Sequence, residues 1–336
     1  MATALQAQTP APVWELGKNP IDPKMTTNKV VVCPPVLPSL HRAEWMHQGT
    51  FGVMVHYLIA PPGADDSERK VQFDRIVDGF DLEAFMKQFD ATGADWLIFT
   101  IGQNTGYYCS PNRLLDRILP GHTSKRNLVS EIAHALKTRK KHCIVYLPAE
   151  VSLQSGNVKR AFSWNPSDFS VFQERYGEFI KDYSLSFGFL VDGWWMDGCW
   201  IEPKRFGDWQ TWMSAFRAGN TNAAVAVSPG PAQTPMTALQ DYLAGETYKI
   251  PAPAPSSRFV SGVQWHALLP IDCTFTGGQP HNYADEVLFN WVLKCKAVGG
   301  AVTLNVPFSQ KGQMREETVA QLSRLAAKIS QARADK

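Results

Sequence analysis

The chain has 336 residues, 44% of them hydrophobic, enough for a full core and long enough for one large α/β barrel or two domains. Thirty-three Lys and Arg against 31 Asp and Glu leave a net charge of +2, which gives no footing for a nucleic-acid or anionic-membrane partner. No apolar run approaches the roughly 20 residues of a membrane span.

Residues 1–40 are Pro-rich and lack helical periodicity, so an extended surface arm is expected ahead of a domain over 41–336. The first residues carry neither the charged nor the apolar region of a signal peptide. They fit a mature end left after cleavage or a cytoplasmic start, and an extracellular or periplasmic location is the expectation. The first strand is Phe51 to Tyr57, apolar until His56 near its end. Pro61, Pro62 and Gly63 then open a charged rim loop expected to run to about Val71. Leu82, Phe85, Met86 and Phe89 recur with helical spacing behind Asp81, an N-cap. Gly93 ends that helix, Ala94 to Thr100 forms the second strand, and Gly102 to Tyr108 its outgoing loop.

A long loop leads to the helix striped by Leu128, Ile132 and Leu136. The third strand, Cys143 to Leu147, opens into Pro148, Ala149 and Glu150. Phe172, Tyr176, Phe179, Ile180 and Tyr183 mark another helix. Then comes Val191 to Gly198, in which an apolar run ends in Asp197 and a glycine follows at once, as at the C-terminal mouth of a parallel strand. Beside two tryptophans, that carboxylate suits a nucleophile or proton carrier over a sugar ring; it also suits a helix cap. A helix around Trp209 to Phe216 precedes the fifth strand, Ala223 to Ser228. Beyond it the pattern blurs through 241–246 and a Pro/Ala loop at 251–257, before a strand at 262–266. Leu288, Trp291, Val292 and Cys295 share a helical face, Ala301 to Val306 is the last strand, and Val319 to Ile329 the closing helix.

Strands alternating with helices imply a parallel sheet, and no GxGxxG or GxxxxGK[ST] opens a helix after the first strand. Seven strands are legible and an eighth is expected between Asp241 and Trp265, so the fold class is α/β, a single (β/α)8 barrel of the TIM type. The six cysteines show no zinc spacing; Cys143 and Cys295 read as buried thiols, with disulfides left open.

Several segments resemble family 29 α-L-fucosidases. Thr50 to Tyr57 is similar to the family's opening KFGIFIHWG, and residues 81–108 to its first helix and second strand. Phe189 to Gly198 is similar to IDGlWFDG, whose final Asp is the nucleophile, and Gly299 to Gly312 to GNLLLNVPPxxxG. The resemblance spans about residues 45–330. It implies a retaining, exo-acting glycosidase on α-L-fucosides or a closely shaped sugar, needing no metal or organic cofactor, with a glycan as partner. Asp197 takes the nucleophile's place. Gln103 and Asn104 stand where the family has a sugar-gripping His-His pair, and Tyr57 replaces the Trp of HWG. Pro270, in the run Trp265 to Cys273, falls where one branch carries its acid/base glutamate. The family's C-terminal β-sandwich has no counterpart in this sequence.

A second carboxyl must serve as acid. Glu246, in a Glu-Tyr-containing loop, ranks first and Glu150 second; Asp272 and His266 are further options. The sugar-contact candidates are His56, Gln103, Asn104 and Tyr146, with Trp195 and Trp265 as stacking faces. Trp195, Trp265 and Tyr146 equally suit core filling. Asp192 reads as structural, and Asn305 as a cap for the following helix. Two rival functions stand beside this one: a related glycosidase of altered sugar specificity, and a catalytically silent barrel that binds carbohydrate. A barrel acting on phosphorylated metabolites would want a stronger Gly-rich loop than Gly277-Gly278.

Overall fold

The computed structural model describes residues 41–149, 154–199, 209–250, 252–274 and 280–335. The expected N-terminal arm, Glu150 and Gly277-Gly278 lie outside the described residues. Alternation of strand and helix begins after a short helix α1 (Glu44–Gln48) with β1 (Gly52–Val55), α2 (Asp66–Asp78), α3 (Leu82–Thr92), β2 (Trp96–Thr100), α4 (Arg113–Ile118), α5 (Leu128–Thr138) and β3 (His142–Pro148). It continues with α6 (Gly156–Ala161), α7 (Ser170–Phe187), β4 (Gly193–Asp197), α8 (Trp209–Phe216) and β5 (Ala224–Val227). A small hairpin of β6 (Phe259–Val260) and β7 (Val263–Gln264) precedes β8 (His266–Pro270), α9 (Asp285–Ala297), β9 (Ala301–Val306) and α10 (Glu316–Ala334).

Seven strands form one parallel sheet in the order β5-β4-β3-β2-β1-β9-β8. The sequence β1 to β5 lies in consecutive neighbours, and β9 returns to pair with β1, as a barrel requires. The eighth place, between β5 and β8, is held by 241–247. Asp241 N–H donates to Val225 O (2.8 Å), Leu243 N–H to Gln264 O (3.0 Å), and Thr247 N–H to Leu268 O (2.8 Å). Only isolated parallel bridges, Tyr242 with Gln264 and Glu246 with Leu268, form along this run. Gly245 interrupts the ladder. Its φ of +72° is left-handed, and a Cβ there would fall 2.0 Å from His266 O, so glycine alone fits.

Side chains of period two fill the interior. Met54, Ile98, Ile144, Trp195, Ala226 and Leu268 meet in one cluster inside the strands. The opposite parity, Val53, Leu97, Val145 and Trp194, joins the helices in the outer core. Near the N-terminal mouth Trp96 Nε1–H donates to Thr303 Oγ1 (2.8 Å). The Thr303 hydroxyl donates to His266 Nε2 (2.7 Å), and His266 Nδ1–H donates to Leu243 O (2.9 Å). This chain satisfies three polar groups where water is absent. Burial lowers the His266 pKa to about 4, so the ring stays neutral.

The structure revises three expectations. The charged stretch expected as a loop to Val71 is helix α2, capped by Asp65, whose carboxylate accepts from Glu68 N–H. Only Phe73 and Val77 are buried in its thirteen residues, too few to give an apolar stripe. The connection before α5 contains α4, capped by Asn112. The strand expected at 262–266 divides into hairpin and strand: 263–264 pair with 259–260, and the barrel strand runs 266–270. The run compared with the acid/base segment is therefore interior strand. The five described cysteines are free thiols, Cys143 and Cys295 among the buried ones.

Gly52 tests the packing of the N-terminal mouth, because a Cβ there would lie 1.9 Å from Trp96 Nε1. Gly52→Ala should destabilise the protein by about 1–3 kcal/mol or more through overpacking, seen as a lower Tm in calorimetry; an unchanged Tm would contradict the packing described.

Candidate active site

The same parity that fills the interior sets the C-terminal mouth. Continuing inward-facing positions by two residues takes β1 from Met54 to His56, β3 from Ile144 to Tyr146, and β4 from Trp195 to Asp197. The run at 241–247 goes from Tyr242 and Ala244 to Glu246, and β9 from Thr303 to Asn305. Sequence-distant polar groups thus converge at the end where barrels carry their chemistry.

Asp197, 9% exposed, closes β4. The Tyr146 hydroxyl donates to its Oδ2, and Gln103 Nε2–H donates to the Tyr146 oxygen (2.8 Å). Desolvation raises the Asp197 pKa, while donors from Tyr146, the Gly198 backbone N–H and Gln103 oppose it. Among the described residues no such donor acts on Glu246. Desolvation and the negative charge of Asp197 push it up to about 8. Two buried carboxyls that repel each other cannot both ionise near neutrality. The one with donors keeps the charge and the other keeps the proton. A neutral acid is thereby set beside an anion, the division of labour that acid and nucleophile need.

His56 flanks this pair. Its Nδ1 is 2.7 Å from Asn305 Oδ1, and the Asn305 amide nitrogen donates to Cys273 Sγ (3.1 Å). With the amide oriented by that thiol, Oδ1 faces the histidine and Nδ1 is the protonated ring nitrogen. Desolvation lowers the His56 pKa to about 4, so at neutral pH the ring is neutral and Nε2 is an acceptor. Tyr146 lies edge-on to His56 with centroids 5.7 Å apart.

Of the expected contacts, His56, Gln103 and Tyr146 meet around Asp197. Asn104 sits exposed at the tip of the turn after β2. Three others require correction. Trp195 is sealed inside the barrel, stacked on Tyr146 at 5.3 Å, with its Nε1–H donating to Ala244 O (3.2 Å); it supports the site from below and offers no face to a sugar. Trp265 precedes β8 at the N-terminal end and packs in the outer core, the wrong parity and the wrong mouth. His266 lies in the buried hydrogen-bond chain described above, far down β8. Asp272 is at the correct end, but its carboxylate accepts from Thr318 Oγ1 (2.6 Å), on the closing helix. Asp192 is structural as expected, holding Lys137 (2.5 Å) and Cys143 N–H (3.0 Å) at the opposite mouth.

The sequence reading missed two residues. Asn305 was expected to cap a helix, and it orients His56 instead; strand parity from Thr303 would have shown it facing inward. Gln233, on the loop after β5, donates through Nε2 to Gly245 O (2.9 Å) and Thr247 Oγ1 (2.8 Å), bracketing Glu246. No spacing in the sequence signals that contact.

No family model matches the chain, and comparison with curated proteins gives no match. Among solved structures it is similar to the endo-fucoidan hydrolase MfFcnA4 of glycoside hydrolase family 107, with 16% identity, 87% of this chain and 54% of that one covered, and a TM-score of 0.64. The family 107 endo-fucoidan hydrolase P5AFcnA gives 15% identity, 87% and 94% coverage, and a TM-score of 0.64. α-L-Fucosidase AlfC from Lactobacillus casei, in complex with α-L-fucose product, gives 15% identity, 87% and 99% coverage, and a TM-score of 0.60. The chain spans about half the length of MfFcnA4. At these identities the likeness shows the barrel.

Removing the tyrosine donor should shift the balance between the carboxyls. In a 13C NMR titration of labelled carboxyls, Tyr146→Phe is expected to move the Asp197 transition to higher pH, because an anion loses a charge-assisted hydrogen bond. A transition that stays in place or moves down would refute the role assigned to Tyr146.

Proposed function

We propose that this protein is a retaining glycoside hydrolase that removes α-L-fucose, or a sugar of the same shape, from the end of a glycan. The observation that carries the reading is the pair of inward carboxyls in unlike surroundings, Asp197 accepting from Tyr146 and Glu246 pushed up to about 8 by desolvation and the charge of Asp197. Retaining hydrolysis needs one carboxylate to attack and one carboxylic acid to protonate, about 5–5.5 Å apart across the glycosidic bond. Asp197 attacks the anomeric carbon. As the C–O bond breaks, its electrons stay on the leaving oxygen, which takes the Glu246 proton. The Glu246 carboxylate then removes a proton from water, whose oxygen displaces Asp197 and restores both groups.

Fucose as the sugar is supported by the matching segments around Asp197 and His56, and by the fucose-acting enzymes among the structural neighbours. His56 and Gln103 supply an acceptor and a donor for ring hydroxyls. Terminal action is supported by the recessed position of Asp197, which suits a ring entering end-on. The endo-acting neighbours make internal cleavage the alternative outcome to test.

Hydrolysis of 4-nitrophenyl α-L-fucoside is the decisive assay. Wild type should turn over, and Asp197→Asn should lose activity by at least about 10³-fold. Glu246→Gln should lose about 10²- to 10⁴-fold and recover with azide, which attacks the glycosyl-enzyme without a general base. Because Glu246 must be protonated, kcat/KM should hold below pH 8 and fall as pH rises through about 8. A folded protein inactive on every aryl glycoside and on fuco-oligosaccharides alike would sink the enzymatic reading and favour a carbohydrate-binding barrel. Size analysis of products from a fuco-oligosaccharide separates terminal from internal cleavage.

A further inference from the structure

We propose that Tyr248 is the platform on which the leaving-group sugar stacks, so that the site is built for fucose linked to a second pyranose and not for a small aglycone. This rests on the assignment of Glu246 as the acid. An acid that protonates the glycosidic oxygen stands on the leaving-group side of the bond, so the surface just outside it meets the departing sugar. Tyr248 follows Glu246 by two residues, one step further toward solvent on a run whose even positions face inward. Its phenol lies within electrostatic reach of both carboxyls, and its pKa is raised by desolvation first and then by the charges that Glu246 and Asp197 carry at the high pH where a phenol ionises.

The ring is 39% exposed. Among the described residues the other large exposed apolar side chain at the catalytic mouth is Leu58, after β1; Val71, Val171, Leu185 and Val287 are on helices, and Phe189 is in the connection entering β4. An aromatic face with a polar tip, half in water beside a catalytic carboxyl, suits the apolar C–H face of a pyranose.

The segment carrying it is anchored on both sides. Thr247 N–H is bonded to Leu268 O, and Thr247 Oγ1 accepts from Gln233. Ile250 N–H donates to the Tyr283 hydroxyl (3.0 Å). With fixed points one residue before and two after, Tyr248 is held ready, and little ordering remains for the substrate to bring about.

The test compares α-L-fucosyl fluoride, whose leaving group has no ring, with an α-L-fucosyl-linked oligosaccharide, using wild type, Tyr248→Ala and Tyr248→Phe. Tyr248→Ala should lower kcat/KM for the oligosaccharide about tenfold more than for the fluoride, chiefly through KM, and Tyr248→Phe should keep most of the wild-type preference. Equal losses on the two substrates would overturn the platform. So would a phenylalanine variant as poor as alanine, since that would assign the effect to the hydroxyl. Calorimetric titration in the Asp197→Asn background adds a readout that does not need turnover. There the oligosaccharide should bind more tightly than free L-fucose, and Tyr248→Ala should erase the difference. Wild type inactive on both substrates with that difference intact would refute the hydrolase reading and leave the platform standing; no difference would refute the platform itself.

Discussion

Everything at the C-terminal mouth of the barrel depends on the mutual repulsion of two carboxyls taken out of water. Alone, burial would raise both Asp197 and Glu246 and leave them alike. The asymmetry comes from donors: Tyr146, Gln103 and the Gly198 N–H all favour charge on Asp197, and that charge in turn keeps Glu246 protonated. One set of hydrogen bonds therefore biases both carboxyls, in opposite directions. The arrangement works against stability. Below pH 4.5 the acid would be neutral in the folded and unfolded chain alike; between there and about 8 the unfolded chain would ionise it and the folded chain would not. Each unit in that window favours unfolding, and the large barrel core must offset it.

The lower barrel is organised to hold this strain. Trp195 stacks directly beneath Tyr146 and is itself tied to Ala244, two residues before the acid. The donor to Asp197 and the backbone leading to Glu246 are thus linked through one buried indole. Below that layer, Trp96, Thr303 and His266 form a satisfied chain that fills the base without an unpaired polar group. The irregular run 241–247 keeps backbone bonds to Val225, Gln264 and Leu268, and Gln233 and Asp241 add side-chain contacts, Asp241 Oδ2 accepting from Val225 N–H (2.8 Å). That irregularity lets Gly245 turn the chain just before Glu246.

Much of the fold was legible because buried parallel strands read as short apolar runs and their helices as apolar stripes. Asp197, with apolar residues before it and glycine after it, announced a strand end. Glu246 could be ranked but not placed, since its strand lacks a regular pattern. Where reading failed, the reason was physical. Helix α2 buries too little to show a stripe. Trp265 and Trp195 look alike as tryptophans near site motifs, yet one-residue differences in parity and a few residues along the strand send them to the outer core and to the barrel interior.

The sequence by itself determined the barrel and the mouth at which Asp197 stands, because both are written in local periodicity and in residue order. Among the described residues, only the tertiary structure brings a second carboxyl to the same mouth. Glu246 ranked ahead of Asp272 and His266 on paper, but nothing in the sequence set any of them beside Asp197. Asp272 is turned to Thr318 and His266 is sunk in the core, whereas Glu246 faces the charge of Asp197. Proton occupancy depends on desolvation and on neighbours dozens of residues away, and neither exists until the chain has closed on itself.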